Sequence, residues 1–339
     1  MIIIVVLVLG GLFIYSRIAE VKDTAETIRN GHLGYILLAV VLEILWLLNV
    51  ALSFRSIFKS MGMDIPYERM IIACAAANFV NVVTSTGGMG GIAVLVSEAR
   101  RRGFSSGRVT MAGFVYLLFD YMGFMVLLAT GLFVLIRRNN ITGTQIIASV
   151  VFVAFTILFV FLIGLGMRSG TSLGNALSWM ARRGNKIMFP FLKRDYFSEQ
   201  RAVYFAHEGA EGLNLLRQQP KNLVLPAVLG LTTKFILLAI LLLMFLAFDI
   251  PFSPGTIIGG FSIGYLFFIV SPTPAGIGFV EGAMTIGLRT LNVPIGAAAV
   301  IALAYRGITF WLPLLFGMFA FRWLDTGDKK QEKDIESTV

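Results

Sequence analysis

Long apolar runs are the feature that most restricts how this chain can fold. They occupy 2–15, 34–53, 110–136, 145–167, 222–247 and 294–320. A helix that crosses a bilayer needs about 20 mostly apolar residues, so only the first run is marginal. That run lacks the basic start and the small-residue cleavage site of a signal peptide, so we interpret it as a retained helix. The sequence predicts an all-α polytopic membrane protein with about six full transmembrane helices.

Composition and charge agree with this class and exclude several others. Hydrophobic residues make up 57% of the chain and charged residues 14%, which is far from the average of soluble proteins. The net charge of +9 suits loops on an anionic cytoplasmic leaflet, because no soluble basic domain exists to bind nucleic acid. The single cysteine, Cys74, excludes an intramolecular disulfide and a cysteine-based metal cluster. His32 and His207 lie far apart, so neither a metal nor another cofactor is predicted.

Three landmarks of the first half recur in the second half at nearly constant offsets of 185, 187 and 186 residues. They are a short motif (Asp-Ile-Pro-Tyr at 64–67, Asp-Ile-Pro-Phe at 249–252), a break rich in glycine and small residues (84–91 and 271–278), and an ionisable residue in an apolar run (Asp120 and Arg306). Duplication in a membrane protein usually places a pathway where the halves join. Because each landmark is short, chance similarity is the alternative.

Two further apolar regions do not form simple spans. Region 68–98 is interrupted at 84–91 by four glycines, and region 255–289 is interrupted at 271–278 by two prolines and two glycines. Each remaining half is too short to cross the bilayer alone. Non-helical backbone at membrane depth is tolerated only where it faces protein or a water-filled cavity. The sequence therefore predicts two re-entrant helical hairpins.

The distribution of Lys and Arg predicts the orientation of these elements. The loop 100–108, the segment 168–221 and the tail after Arg322 are basic, so we expect them to be cytoplasmic. The loop 248–256 has no Lys or Arg and is expected outside. The first hairpin then opens from the cytoplasm and the second from outside, which gives an inverted repeat. The two arginines at 137–138 fall outside in this arrangement and count against it.

A single membrane domain is predicted over 1–322, followed by a cytoplasmic tail. Its parts are a first repeat (34–136), a linking helix (145–167), a basic interfacial segment (168–221) and a second repeat (222–320). Aromatic residues among basic ones in 168–221 are typical of a helix in the headgroup layer, and a solvated connector is the alternative. The polar tail 323–339 is predicted to be disordered.

Ionisable side chains inside apolar helices are the main candidate site residues, because each needs a partner or a wet cavity. They are Glu43, Asp120, Lys234, Glu281 and Arg306. Arg306 cannot lose its proton, so it needs a carboxylate or a phosphate, and Glu281 is the first protein partner that we expect. A static ion pair that locks the hairpin to the next helix is one interpretation. A headgroup site in which Arg306 binds a phosphate oxygen is the other.

The remaining three ionisable residues also allow two interpretations each. Asp120 could pair with Arg306 as a gate or lock, or could be protonated or bonded to a neighbouring helix. For Glu43 a protonated carboxyl or an interhelical hydrogen bond is favoured slightly over function. Lys234 lies near mid-depth, where snorkelling to the interface is awkward, so function and structure are equally plausible.

The hairpin breaks supply a second set of candidates. Half-helix N-termini favour anions such as phosphate. Asn81, Thr86 and Thr273 add polar side chains at the two breaks. The alternative for the glycines is close helix packing. No enzyme motif is present, so an enzyme is not predicted.

The second-half motif resembles a known family. The run at 271–281 (Ser-Pro-Thr-Pro-Ala-Gly-Ile-Gly-Phe-Val-Glu), followed by Arg306 and Pro313, is similar to the lysylphosphatidylglycerol synthase transmembrane-region family, also called flippase-like. The family pattern is a Pro/Gly-rich turn that ends in Gly-x-x-Glu, with an Arg in the next helix. The first-half resemblance, over 81–120, is weaker, because positions 92–96 are apolar where the family often has an acidic residue and an Arg.

The resemblance implies a membrane lipid translocator. In that family the membrane part is associated with moving lipids, including aminoacylated phosphatidylglycerol, between leaflets, and longer members append a soluble aminoacyl-transfer domain. No such domain is found in this sequence, so translocation without synthesis is implied, in the cytoplasmic (inner) membrane. Arg306 and Lys234 would contact phosphate, and Glu281, Asp120 or Glu43 would contact an amine, hydroxyls or a coupled proton. A secondary transporter of a small anionic solute and a non-transporting partner of a lipid or envelope enzyme are the alternatives, and a homo-oligomer is left open.

Overall fold

The fold is helical, as the sequence predicts. The structure, a computed structural model, describes residues 22, 26–84, 89–139, 141–192, 198–271 and 273–336. Within these ranges every regular element is a helix, so the all-α class is confirmed. Five helices are long and apolar enough to cross a bilayer: Leu33–Ser60, Ser106–Arg137, Gly143–Arg168, Pro220–Ala247 and Ile295–Leu324. They coincide with five of the six predicted spans, while the run 2–15 lies outside the described residues.

The helices are numbered here in chain order from the first predicted span with described bounds. They are α1 (Leu33–Ser60), α2 (Tyr67–Thr84), α3 (Met89–Arg100), α4 (Ser106–Arg137), α5 (Gly143–Arg168), α6 (Gly170–Leu192), α7 (Glu199–Gln218), α8 (Val224–Ala247), α9 (Pro254–Ile269), α10 (Phe279–Thr290), α11 (Ile295–Arg306) and α12 (Leu312–Glu336). A 3₁₀ turn at Pro220–Leu223 leads into α8, and a π-helical turn at Gly307–Trp311 joins α11 to α12.

Polar residues at the helix starts explain where several helices begin. Ser105 accepts a hydrogen bond from the backbone of the first turn of α4, and Ser253 does the same for α9, which has proline at its first position. Thr142 and Gln145 form a reciprocal capping box at the start of α5. These side chains satisfy backbone N–H groups that have no partner inside the helix.

Both predicted breaks are present in the helical structure. α2 ends at Thr84 before α3, and α9 ends at Ile269 before α10. The backbone of the second break turns through left-handed conformations at Ala275, Gly276 and Gly278, with φ of 51°, 76° and 74°. The second helix of each pair has 12 residues, about 18 Å of helix, which is too short to cross a bilayer. The placement of these pairs as re-entrant hairpins stays a prediction.

Helix packing repeats between the two halves. α2 packs against α3, and α9 packs against α10 in the same way. Each broken pair also lies against the long helical segment of the other half, since α2 packs on α12 and α9 packs on α4. α1 and α8, the helices that precede the two motifs, pack against each other. This exchange of partners is compatible with duplicated halves related by a pseudo-two-fold axis, while the duplication and its inversion stay predictions.

The segment between the halves forms two helices. α6 and α7 pack against each other, and α7 also packs on α4 and α5. Ala206 and Leu213 of α7 are buried in the same apolar cluster as Phe58 and Met61 at the end of α1. The connector is therefore docked on the helix bundle, while its position in the headgroup layer stays a prediction.

The end of the chain differs from the sequence expectation. α12 continues as a helix to Glu336, whereas the sequence predicts a disordered tail over 323–339. The stretch 329–333 consists of Lys, Gln and Glu, which are good helix formers and can extend a helix that is already nucleated in the bundle.

Candidate functional site

A closed charge centre lies where α4, α8 and α9 meet. Lys234 of α8 is fully buried and donates to Asp120 Oδ1 of α4 at 2.6 Å and to the Tyr265 hydroxyl of α9. The Tyr265 hydroxyl donates to Asp120 Oδ2 at 2.9 Å. We call these three residues the first charge centre. Its cation and its carboxylate neutralise each other, and both carboxylate oxygens are bonded.

A close backbone approach brings the first charge centre together. Gly123 of α4 lies one turn beyond Asp120, and Gly230 of α8 lies one turn before Lys234. A Cβ added at Gly123 would lie 2.6 Å from the Gly230 carbonyl oxygen, so the two backbones are in contact there. Small residues permit such contacts between membrane helices. Asn49 of α1 joins the same layer, because it donates to the Leu229 carbonyl at 2.9 Å.

The structure decides between alternatives that the sequence left open at this centre. Asp120 does not pair with Arg306; it bonds Lys234 and Tyr265 of neighbouring helices, which is the other interpretation of Asp120, because α4 packs on α8 and α9. Lys234 does not snorkel either, since its side chain is 1% exposed and bonded inside the bundle. The repeat offset matches Asp120 with Arg306 by position along their helices. It does not predict the direction in which either side chain points.

The hydroxyl of Tyr265 should contribute measurably to stability. We expect Tyr265→Phe to lower the free energy of unfolding by about 1–2 kcal/mol, because one oxygen of Asp120 then loses its buried donor. The measurement is denaturant unfolding in detergent. Tyr35→Phe on the exposed surface of α1 is the matched control and should leave stability unchanged. Equal stability of both variants would show that Asp120 does not need this bond.

A second charge centre lies at the end of the second break. Arg306, the last residue of α11, donates from Nε to Glu281 Oε1 and from Nη2 to the Ala275 carbonyl, both at 2.9 Å. Its guanidinium carbon lies 4.4 Å from the ring centre of Phe310. Glu281 is thus the partner that the sequence predicts. Arg306 fastens the break to α11 at two points, at Ala275 inside the turn and at Glu281 in the first turn of α10.

This second charge centre (Arg306, Glu281 and the Ala275 carbonyl) keeps unused hydrogen-bonding capacity. Oε2 of Glu281 is buried and has no hydrogen-bond partner in the part of the chain that the structure describes. Nη1 of Arg306 likewise has none among the described residues. A buried Arg–carboxylate pair with spare donors and acceptors can take a further polar ligand without losing its own bond.

Glu43 of α1 belongs beside the second charge centre. It is 1% exposed, and neither carboxylate oxygen has a partner among the described residues. Leu42 and Trp46 of α1 pack against the buried cluster that contains Tyr305. Tyr305 directly precedes Arg306, and α1 packs on the π-helical turn that follows Arg306. For Glu43 the sequence favours a protonated carboxyl or an interhelical hydrogen bond. The described residues do not form that hydrogen bond, and the protonated carboxyl stays a prediction.

The polar side chains of the breaks bond within their own turns. Gly91 N–H, at the start of α3, donates to Asn81 Oδ1 of α2 at 2.6 Å. Thr273 Oγ1 donates to the Ile277 carbonyl at 3.1 Å and lies 2.9 Å from Ser271 Oγ. Both side chains therefore brace a break rather than offer a free group. Thr86 lies outside the described residues.

A comparison with protein families finds a match over most of the chain, including both charge centres. The family model described as "Lysylphosphatidylglycerol synthase TM region" matches residues 1–317. The chain belongs to this family. Both charge centres and Glu43 lie inside the matched residues. A comparison with curated proteins found no match.

The electrostatics of this TM-region protein divide its buried ionisable groups into two kinds. Asp120 and Lys234 form a neutral, fully bonded pair in the centre of a helix contact. Glu281 and Arg306 form a neutral pair at a helix break, with atoms left to bind. A fully bonded pair holds helices together, whereas a partly bonded pair next to irregular backbone is suited to ligand binding. In the described ranges no three His, Cys, Asp or Glu side chains gather as metal ligands.

Three groups of the site were missed from the sequence. Tyr265 could have been noticed, because a buried tyrosine hydroxyl in an apolar helix usually has a partner. The Ala275 carbonyl and the π-helical turn after Arg306 had no such signal. Both arise from local backbone geometry, which residue types alone do not specify.

Proposed function

We propose that this TM-region protein moves phospholipid, or an aminoacylated phospholipid, between the leaflets of the cytoplasmic membrane. The observation that carries the proposal is the buried, incompletely bonded Arg306 next to the start of α10. The N-cap of α10 is Gly278, whose missing side chain leaves the first N–H groups of α10 uncapped. A helix N-terminus and a guanidinium together form a binding site for a phosphate oxygen.

The other groups of the second charge centre complete a headgroup site. Glu281 Oε2 can accept from an amine or hydroxyl of the headgroup while Oε1 keeps its bond to Arg306. The acyl chains remain in the bilayer while only the headgroup enters the bundle. Because the phosphate binds at Nη1, substrate binding need not break the contacts that fasten the turn.

The first charge centre has a supporting role in this proposal. The sequence suggested that Lys234 contacts phosphate, but its ammonium is already bonded to Asp120 and Tyr265. We assign the first charge centre to holding the two halves together. The matching packing of the halves favours an inverted repeat that rocks about this contact and exposes the second charge centre to each leaflet in turn.

Reconstitution into liposomes tests the proposal. We expect labelled phospholipid to exchange between leaflets, and Arg306→Lys to slow that exchange at least tenfold. Lysine keeps a cation for Glu281, so the variant should fold, but it lacks the planar fork that binds phosphate and backbone together. Arg289→Lys is the matched control, because Arg289 is an exposed arginine in the last turn of α10, the short helix that carries Glu281.

Three results would contradict lipid translocation. Equal rates for Arg306→Lys and the control would remove Arg306 from the site. Uptake of a water-soluble anion without lipid movement would identify a solute transporter. Movement of neither, with a lipid-modifying enzyme that co-purifies, would identify a non-transporting partner.

A further inference from the structure

Glu43 is a buried carboxyl without a paired cation in the described structure. Asp120 is paired with Lys234, and Glu281 is paired with Arg306. Glu43 is as deeply buried as these residues but has no hydrogen bond or ion pair in the described structure. An isolated carboxylate inside a membrane helix is costly, so such a group normally carries a proton or binds a cation.

A stripe of polar side chains leads away from Glu43 along one face of α1. Trp46, Asn49 and Ser53 follow it at spacings of three, three and four residues, so all four lie on neighbouring turns. The indole nitrogen of Trp46 and the hydroxyl of Ser53 are buried and, like the Glu43 carboxyl, have no partner among the described residues. Buried polar atoms of this kind are normally satisfied by water. The stripe spans about 15 Å of helix, and water along it would connect Glu43 to Ser53, seven residues before the end of α1.

The groups around Glu43 identify Arg306 as the cation that its charge would attract. Asp120 and Lys234 on the neighbouring α4 and α8 already bond each other. The other ionisable groups on elements packed against α1 are neutral at ordinary pH or lie outside the fully buried core. The neutral ones are Tyr67 and Cys74 on α2 and Tyr116 and Tyr121 on α4. The charged ones are Glu68 and Arg69 on α2, Arg108 and Arg137 on α4, and Lys221 on the 3₁₀ turn, and each of these is at least partly exposed. Tyr305, next to Arg306 in sequence, lies in the buried cluster against which Leu42 and Trp46 of α1 pack. This packing brings Glu43 to the side of the bundle that holds the second charge centre.

We propose that Glu43 is a proton-carrying carboxyl that controls the bond between Arg306 and Glu281. With its proton bound, Glu43 is neutral and Arg306 stays on Glu281 and Ala275. When the proton leaves to water along the polar stripe, the Glu43 carboxylate competes with Glu281 for Arg306. The π-helical turn at Gly307–Trp311 follows Arg306 directly and packs on α1, and a π turn can revert to α geometry with a local rotation. Loss of the Glu43 proton would thereby free Glu281 and the Ala275 carbonyl from Arg306.

Infrared spectroscopy of the purified protein tests the proton directly, without lipid transport. We expect a carbonyl band of a neutral carboxylic acid that disappears reversibly as the pH is raised. Glu43→Gln, which is nearly isosteric and permanently neutral, should lose this band. Glu68→Gln, at an exposed glutamate at the start of α2, should keep it. A band that is unchanged in Glu43→Gln, absent at every pH, or present at every pH would overturn the proposal.

The link to translocation rests on the proposed function and is measured separately. In liposomes the wild-type rate of lipid exchange should change with pH by up to about tenfold per pH unit, the limit for one proton. The rate of Glu43→Gln should be independent of pH. A titrating Glu43 band without any lipid exchange would leave the proton site standing and remove the proposed function. Equal pH dependence of both proteins would show that the Glu43 proton does not control the break.

Discussion

Replacing Lys234 with methionine should lower the free energy of unfolding by about 3–5 kcal/mol, the usual cost of removing one partner of a buried ion pair. Methionine fills most of the volume of the lysine stem, so little cavity forms. The cost arises because Asp120, with only the Tyr265 hydroxyl as a donor, must either keep an uncompensated charge in the bundle or take up a proton. Detergent-solubilised protein, unfolded by heat or denaturant, gives the measurement.

A double-mutant cycle separates this charge effect from packing. Asp120→Asn combined with Lys234→Met removes both charges and should recover most of the lost stability, because no isolated charge remains. Lys59→Met, at an exposed lysine in the last turn of α1, is the control for loss of a surface charge. If Lys234→Met is as stable as Lys59→Met, the Lys234–Asp120 contact does not hold the bundle together.

The sequence predicted the second charge centre better than the first. Glu281 follows the break by three residues and Arg306 lies in the next helix, so short connections limit which partners each can reach. Asp120 and Lys234 are 114 residues apart, and their contact depends on how α4 packs on α8. The offset between the two halves matched Asp120 with Arg306 by position along the helix. That position does not determine which face of the helix a residue occupies.

The spans and both breaks were also predictable, because they depend on local composition. Runs of about 20 apolar residues set the long helices, and clustered Gly and Pro set the break before α10. The role of Asn81 was not predictable in the same way. Its side chain could have faced a ligand, but Gly91 lies so close that its N–H donates to Asn81 Oδ1, which ties α3 to α2.

The two charge centres differ in how completely their polar atoms are bonded. The first charge centre is fully bonded at a glycine contact between long helices, where movement would expose a charge. The second has free hydrogen-bonding atoms where the backbone is irregular and a π turn follows. The proposed translocation would use both features, a fixed contact between the halves and a separate binding site that can change its bonds.

Gly230→Ala tests the fixed contact, and we expect a loss of about 3 kcal/mol, at the upper end of the cost of overpacking. A Cβ at Gly230 would lie 2.6 Å from the carbonyl oxygen of Phe119. The obstructing atom is backbone, so no rotamer change relieves the clash and α4 must move away from α8. That movement also lengthens the bond between Lys234 and Asp120 one turn away, which adds to the cost.

A second glycine supplies the matched control for this substitution. Gly164 lies inside α5, and a Cβ there would meet no atom within 4 Å. Gly164→Ala should therefore stabilise the protein slightly, by up to about 1 kcal/mol, because alanine favours the helix. Unfolding in detergent compares the two variants directly, and Gly123→Ala should resemble Gly230→Ala because it meets the same contact from α4. Stabilisation by Gly230→Ala would mean that α4 and α8 are farther apart in the membrane and that Lys234 reaches Asp120 in another way.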